Sequence, residues 1–275
     1  MSKRLIVNAD DYGRTSLVSA GIRSAHMNGI VTSTTAMMNM PGIVKDLEVA
    51  LQECPQLGLG VHLDLTAGKP ISPVEKVRTL VDEIGNFPSA SGFMKILPSI
   101  DLNEVHMEWE SQIGKFIQVT GRNPDHLDSH HHTSYLTEDL FEMMLGVAED
   151  LGCSIRRPTA EGEDVLPLDL PAEIRERSGN YLANLIASHS VSMPEWFFSS
   201  FFNESATLDR LLEIIGNLPQ GTSELMCHPG FLDPELEKSS SYTRQRDHER
   251  QILEDAAVRN LLSDLGVEMI SFGDL

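Results

Sequence analysis

Positive charge is the first shortage. The 275 residues carry 21 Lys and Arg against 41 Asp and Glu, a formal net charge of −20. Nucleic acid and anionic membranes want a basic face, so neither is expected as a partner, and a neutral or small substrate is favoured. Cysteine is scarce as well: Cys54, Cys153 and Cys227 are odd in number, and no two stand at metal-ligand spacing. That excludes a disulfide framework and fits a reduced, cytoplasmic compartment. No apolar run is long enough for a membrane span or a signal segment, since Met-Ser-Lys-Arg leads directly into a short apolar stretch. Internal repeats and low-complexity tracts are missing too.

What is present is globular in kind, with 41% hydrophobic and 23% charged residues. At this length the expected solution is one α/β domain over residues 1–275, and a (β/α) barrel of about 250 residues is the commonest form. The order of elements agrees. Leu5–Ala9 reads as a buried strand, and Thr15 or Ser16 caps a helix running to about Asn28. Ile30–Ala36 is β-branched, Gly42–Glu53 is helical until Pro55, and Gly58 opens a third strand. Such alternation signals right-handed βαβ units and a parallel sheet. Further helices are expected over Asn103–Thr120, Thr137–Leu151, Ser205–Leu218 and Arg244–Leu265, with a short strand over Ser154–Pro158 whose Arg156 and Arg157 point toward the mouth of the cleft, and a last strand over Val267–Phe272. Residues 66–100 are rich in Gly and Pro and read as an insertion over the strand ends, with a short helix over Val74–Glu83. A second insertion is expected at 158–200.

Chemistry collects where the strands end. Asp10 and Asp11 close the first strand, and two adjacent carboxylates repel unless a cation or a proton joins them. His62 lies near the end of the third strand, the run His126–His132 follows a Gly-Arg-Asn-Pro turn, and His228 ends a strand broken by Pro229-Gly230. One carboxylate of the aspartate pair, His62 and one imidazole from His130, His131 or His132 would make a facial set for a divalent ion, leaving the other aspartate as general base. Blander roles exist for each residue alone. Either aspartate could cap the next helix, and His62 could be a satisfied core histidine. Cys227 and His228 face opposite sides of a strand, so Cys227 reads as structural rather than nucleophilic.

Five ordered blocks, Asn8–Gly13, Gly29–Ala36, Gly60–Leu63, His126–His132 and Met226–Pro229, together resemble the YdjC-like carbohydrate deacetylase family, which includes chitooligosaccharide deacetylases. The resemblance implies a distorted (β/α) TIM-like barrel, related to polysaccharide deacetylase barrels, that removes acetyl groups from N-acetylated amino sugars. It implies Asp11, His62 and His130 as metal ligands, Asp10 as base, His228 as general acid and Arg156 as a residue orienting Asp10 or the substrate. It further implies Mg²⁺, with Zn²⁺ as the ion better matched to imidazole donors, and a homodimer. The family's His cluster continues with a further histidine two positions on, where this chain has Thr133-Ser134. Two other readings remain. A phosphoesterase would want more bridging carboxylates and more basic residues than Arg156 and Arg157 supply, and a non-catalytic sugar-binding barrel would have lost Asp10 or a ligand.

Overall fold

Ten residues, Lys3–Tyr12 (β1), form the strand on which the sheet is centred. In the computed structural model, which describes residues 2–158, 178, 181–238 and 240–275, β1 has neighbours along both edges. β2 (Ser33–Ala36), β3 (Gly58–Leu63), β4 (His126–Ser129) and β5 (Ser154–Ile155) extend the sheet on one side, and β7 (Gly221–Cys227) and β6 (Trp196–Phe198) on the other. β8 (Glu268–Met269) pairs with the start of β1 at Arg4 and Leu5, below the point where β2 joins at Asn8. All these pairings are parallel.

The order β5-β4-β3-β2-β1-β7-β6 is that of a barrel with one seam left open, between β5 and β6. The curled sheet is thus a half-barrel. The seam is bridged by the backbone N–H of Ile155, which donates to the carbonyl of Ser192 at 3.0 Å.

Helices cover the outside of the sheet. They are α1 (Ser16–Met27), α2 (Ile43–Glu53), α3 (Ala90–Ile96), α4 (Leu102–Thr120), α5 (Glu138–Leu151), α6 (Leu182–Ser188), α7 (Leu208–Gly216), α8 (Arg244–Leu253) and α9 (Ala256–Asp264). Thr15 caps α1 by accepting from Val18 N, as expected, and Thr137 caps α5 in the same way. The apolar stripe of α4 buries Val105, Trp109, Ile113 and Phe116. Leu5, Val7 and Ala9 of β1 and Leu59, Val61 and Leu63 of β3 are buried in the same core. Each of these Leu and Val side chains contributes about 1.5–3 kcal/mol on burial.

Three expectations are corrected. Val74–Glu83 is not an α-helix but two single 3₁₀ turns, Val74–Lys76 and Arg78–Leu80, and the helix of this insertion is α3 instead. Arg244–Leu265 is broken, because Asp255 leaves helical geometry and caps α9 through Ala257 N. The strand expected from Ile30 starts only at Ser33. About half of the insertion expected at 158–200 lies outside the described residues, and the rest holds α6 and β6. Among the described residues no helix is long and apolar enough to cross a membrane.

Candidate functional site

Alternate residues of β1 meet different surroundings. Ile6 packs with Ile270 and Phe272 at the foot of the barrel. Above it, Asn8 reaches Thr35 and His126, and Asp10 meets Arg156. The other strands follow the same rule: His62 on β3, His126 and Asp128 on β4 and Glu224 on β7 are all turned into the barrel and buried. Gly60 belongs to this pattern, since a Cβ there would stand 2.6 Å from the His126 ring and carbonyl. Only glycine leaves that room.

Neighbouring residues of a regular strand cannot serve one cavity, yet Asp10 and Asp11 do. The β1–β2 register shifts between Ala9 and Tyr12, and Asp11 takes φ 69°. A bulge with a left-handed residue turns the second carboxylate to the side of the first. His131 (φ 53°) and His132 (φ 54°) are left-handed as well. Non-glycine residues in this region cost of order 1–3 kcal/mol each, and they gather where structure is held for function.

The resulting cluster is compact. Asp11 Oδ1 lies 3.0 Å from His130 Nδ1 and 3.4 Å from His62 Nε2, and the two imidazole nitrogens are 3.3 Å apart. Metal–ligand bonds of about 2.0–2.2 Å subtend separations of this size between adjacent coordination positions. Asp11 Oδ1 is buried and has no hydrogen-bond donor. Such an atom calls for a cation, and these residues fit a divalent ion with two borderline nitrogen donors and one hard oxygen. The three residues can therefore hold a metal.

Two of the donors are steadied from behind. Asp128 Oδ1 sits 2.6 Å from His62 Nδ1, which fixes the proton there and leaves Nε2 to the cluster. Arg246 of α8 donates to Asp11 Oδ2. Burial works to raise the Asp11 carboxyl, but Arg246 and His130 hold it well below its ordinary value.

Asp10 is gripped by Arg156, at 2.8 Å from one guanidinium nitrogen and 2.7 Å from the other, and by Asn8 at 2.9 Å. Burial opposes ionisation here as well, and Arg156, His62 and His228 overcome it, so Asp10 stays a carboxylate. Arg156 was expected at the cavity mouth. It is instead wholly buried in the barrel, where it also meets Asp128 at 3.0 Å and Glu224 at 2.7 Å. Arg157, read beside it, is half-buried.

His228 follows β7 directly, with Nε2 3.9 Å from Asp10 Oδ2. Its backbone N–H donates to Glu249 of α8, which also accepts from the Tyr242 hydroxyl. Burial pushes the His228 imidazole down to about 4. Phe202 stacks on Tyr242 with ring centres 4.7 Å apart, and His228 stands edge-on to both. Cys227, one residue earlier, is turned away, with its thiol toward the Asn8 carbonyl and pushed well up by burial. It is structural, as its strand position implied.

Above these groups opens a cavity of about 860 Å³ whose floor is Asp10, Asp11, His62, His130 and His228. Its walls come from the 66–100 insertion (Thr66, Ser89, Ser91) and from the segments after β6 and β7 (Phe202, Ser240, Tyr242). The structure brings together all six residues singled out in the sequence. The supports Asp128, Glu224, Arg246 and Glu249 were not anticipated. Asp128 was readable, because His126, Asp128 and His130 share one face at a spacing of two.

Residues 4–264 match the YdjC-like protein family. A carbohydrate deacetylase of Thermoanaerobacter pseudethanolicus is 34% identical over 273 residues, 99% of either chain. A chitooligosaccharide deacetylase of Yersinia enterocolitica is 32% identical over 277 residues, 100% of either chain. A crystal structure from Enterococcus faecalis V583, of a protein with a proposed role in cellobiose-phosphate cleavage, superposes with a TM-score of 0.86 at 32% identity, covering 100% of this chain and 99% of that one. With these matches running end to end through the strands that carry the cluster, the chain belongs to the YdjC-like protein family.

Proposed function

We propose that this protein is a carbohydrate deacetylase that hydrolyses the N-acetyl group of an amino sugar or a short chitooligosaccharide of the diacetylchitobiose kind, releasing acetate. The observation that carries the reading is the Asp11–His62–His130 triangle beside an ionised Asp10 on the floor of one cavity. Asp11, His62 and His130 would hold the divalent ion. When bound, the ion supplies Lewis-acid polarisation of a carbonyl and a lowered water pKa. Mg²⁺ is the ion the family resemblance implies, and Zn²⁺ is the alternative that two imidazole donors suit.

The chain's own residues do the remaining work. Asp10, kept ionised by Arg156, accepts the proton of the attacking water. His228 is neutral at pH 7, so the proton it delivers must be received within the site. Asp10 Oδ2 at 3.9 Å is the nearby source, and the leaving nitrogen is the destination. Water is consumed, the C–N bond breaks, and acetate and a free amino sugar leave. The neutral serines and the Phe202 ring suit a polyhydroxylated, uncharged ligand. Residues 1–275 are read as one such domain, in the cytoplasm and as a homodimer, on the strength of the resemblance and of three buried, unpaired cysteines.

The deciding assay is acetate release from diacetylchitobiose by metal-stripped protein resupplied with Mg²⁺, Zn²⁺ or Mn²⁺, beside an Asp10→Asn variant. The expected result is release restored by a metal and reduced about 10²–10⁴-fold in the variant. No release with any metal would sink the proposal.

A further inference from the structure

His131 takes no part in the donor triangle. Its ring nevertheless borders the same cavity, and the residue is exposed there. It is also tied down more firmly than an exposed residue needs. Its ring packs against His130 at a tilt of 41°, with centres 3.9 Å apart. Nδ1 lies 2.9 Å from Thr66 Oγ1. Thr66 is itself held by Asp64 Oδ1, at 2.8 Å from its backbone nitrogen and 3.3 Å from its hydroxyl. Asp64 is anchored in turn through its backbone, which exchanges hydrogen bonds of 2.9 and 2.7 Å with the Gln112 side chain of α4.

The direction of this chain of bonds follows from charge. Asp64 as a carboxylate only accepts, so the single Thr66 hydroxyl proton goes to it, the charge-assisted choice. The Thr66 oxygen is then an acceptor, and Nδ1 of His131 must carry the imidazole proton. Nε2 is left as a bare lone pair. The left-handed backbone at His131 and His132 belongs to the same arrangement, because it carries the chain off the line of β4 just after His130.

We propose that His131 is a substrate-contacting residue, whose Nε2 accepts a hydrogen bond from a hydroxyl or amide N–H of the bound sugar next to the acetyl group under attack. The assignment rests on the deacetylase reading. It makes His131 a specificity determinant: a sugar with a donor at that place is bound, and an isostere without one leaves a desolvated nitrogen unpaired.

The test uses full-length protein loaded with its ion. His131→Phe keeps a ring against His130 and removes both nitrogens, while Thr66→Val keeps the imidazole and removes its anchor. For His131→Phe, KM for diacetylchitobiose is expected to rise about tenfold with kcat within about threefold, the pattern of lost uniform binding. Metal affinity by calorimetry should stay within about twofold, since His131 is no ligand. Nitrogen chemical shifts of His131 should report the proton on Nδ1 in the wild type and a tautomer mixture in Thr66→Val. A proton on Nε2 in the wild type, an unchanged KM in His131→Phe, or metal affinity weakened more than about tenfold would each overturn the assignment. Wild-type protein that neither binds nor hydrolyses the disaccharide overturns this inference and the deacetylase reading together, whereas an active wild type with an indifferent His131→Phe overturns this one alone.

Discussion

The two faces of β1 do different kinds of work. Leu5, Val7 and Ala9 meet the helices in an apolar layer, whereas Asn8 and Asp10, one residue out of step, join a network of hydrogen bonds and charges. On the outer face the requirement is volume, and any side chain of the right size serves. Inside, each residue is specified by a partner: Asp10 by Arg156, His62 by Asp128, Asn8 by His126. Barrels of this class usually fill their interior with branched aliphatics. Here, among the described residues, apolar side chains fill the foot, around Ile6, Ile270 and Phe272, and a small patch of Phe197 and Met226. The lesson is that one strand can build its fold with Leu5, Val7 and Ala9 and its chemistry with Asn8 and Asp10, the bulge adding Asp11 to the second set.

The sharpest way to break this contrast is at its centre. Arg156→Met leaves Asp10, Asp128 and Glu224 without their shared cation, and urea unfolding is expected to show a loss of about 3–5 kcal/mol. Acetate release should fall with it, because Asp10 loses its two-pronged grip. Leu63→Ala, on the outer face, should cost about 2–4 kcal/mol by the same measurement. Activity per folded molecule should remain that of the wild type, since the packing layer touches no reacting group. A substantial drop in kcat for Leu63→Ala would show that the two faces are not separable.

The third test concerns Glu224. Burial, opposed by Arg156, raises its carboxyl from the ordinary 4.5 to about 8, and the carboxylates of Asp10 and Asp128 add to the rise. The folded protein therefore keeps a proton that the unfolded chain releases above 4.5. Its stabilising contribution is complete below that pH and fades as pH climbs through about 8. Glu224→Gln, which carries its hydrogens permanently, should remove that part of the downward slope of unfolding free energy between pH 5 and 8. Parallel slopes for the two proteins across that window would mean that Glu224 is ionised in the fold.

Much of this was legible in the sequence. Apolar runs separated by helical stretches announced parallel strands, and polar residues at strand ends announced the cluster, because both depend on local spacing. The bulge at Asp11 was not legible: a left-handed turn is usually announced by glycine, and here the position is an aspartate. Arg246 and Glu249 gave no signal either. They sit in a helix with charges on every face, and only packing shows that these two are the buried ones. Arg156 was found but misplaced, since an arginine after a strand reads as solvent-facing until its three carboxylate partners converge on it. The helix expected over Val74–Glu83 is interrupted at Val77, whose φ of −134° and ψ of 38° separate two 3₁₀ turns.

The sharing of Arg156 among three carboxylates also bears on whether the site could be grafted elsewhere. Copying Asp10, Asp11, His62 and His130 onto another barrel would transfer the donors and leave behind Asp128, Glu224 and the guanidinium that fix their charge and posture. The recipient's aliphatic interior would then face buried, uncompensated carboxylates. By the same logic, substitutions along this lineage at any one of these interior positions are constrained by the others. The transplantable unit is the whole inner surface of five strands.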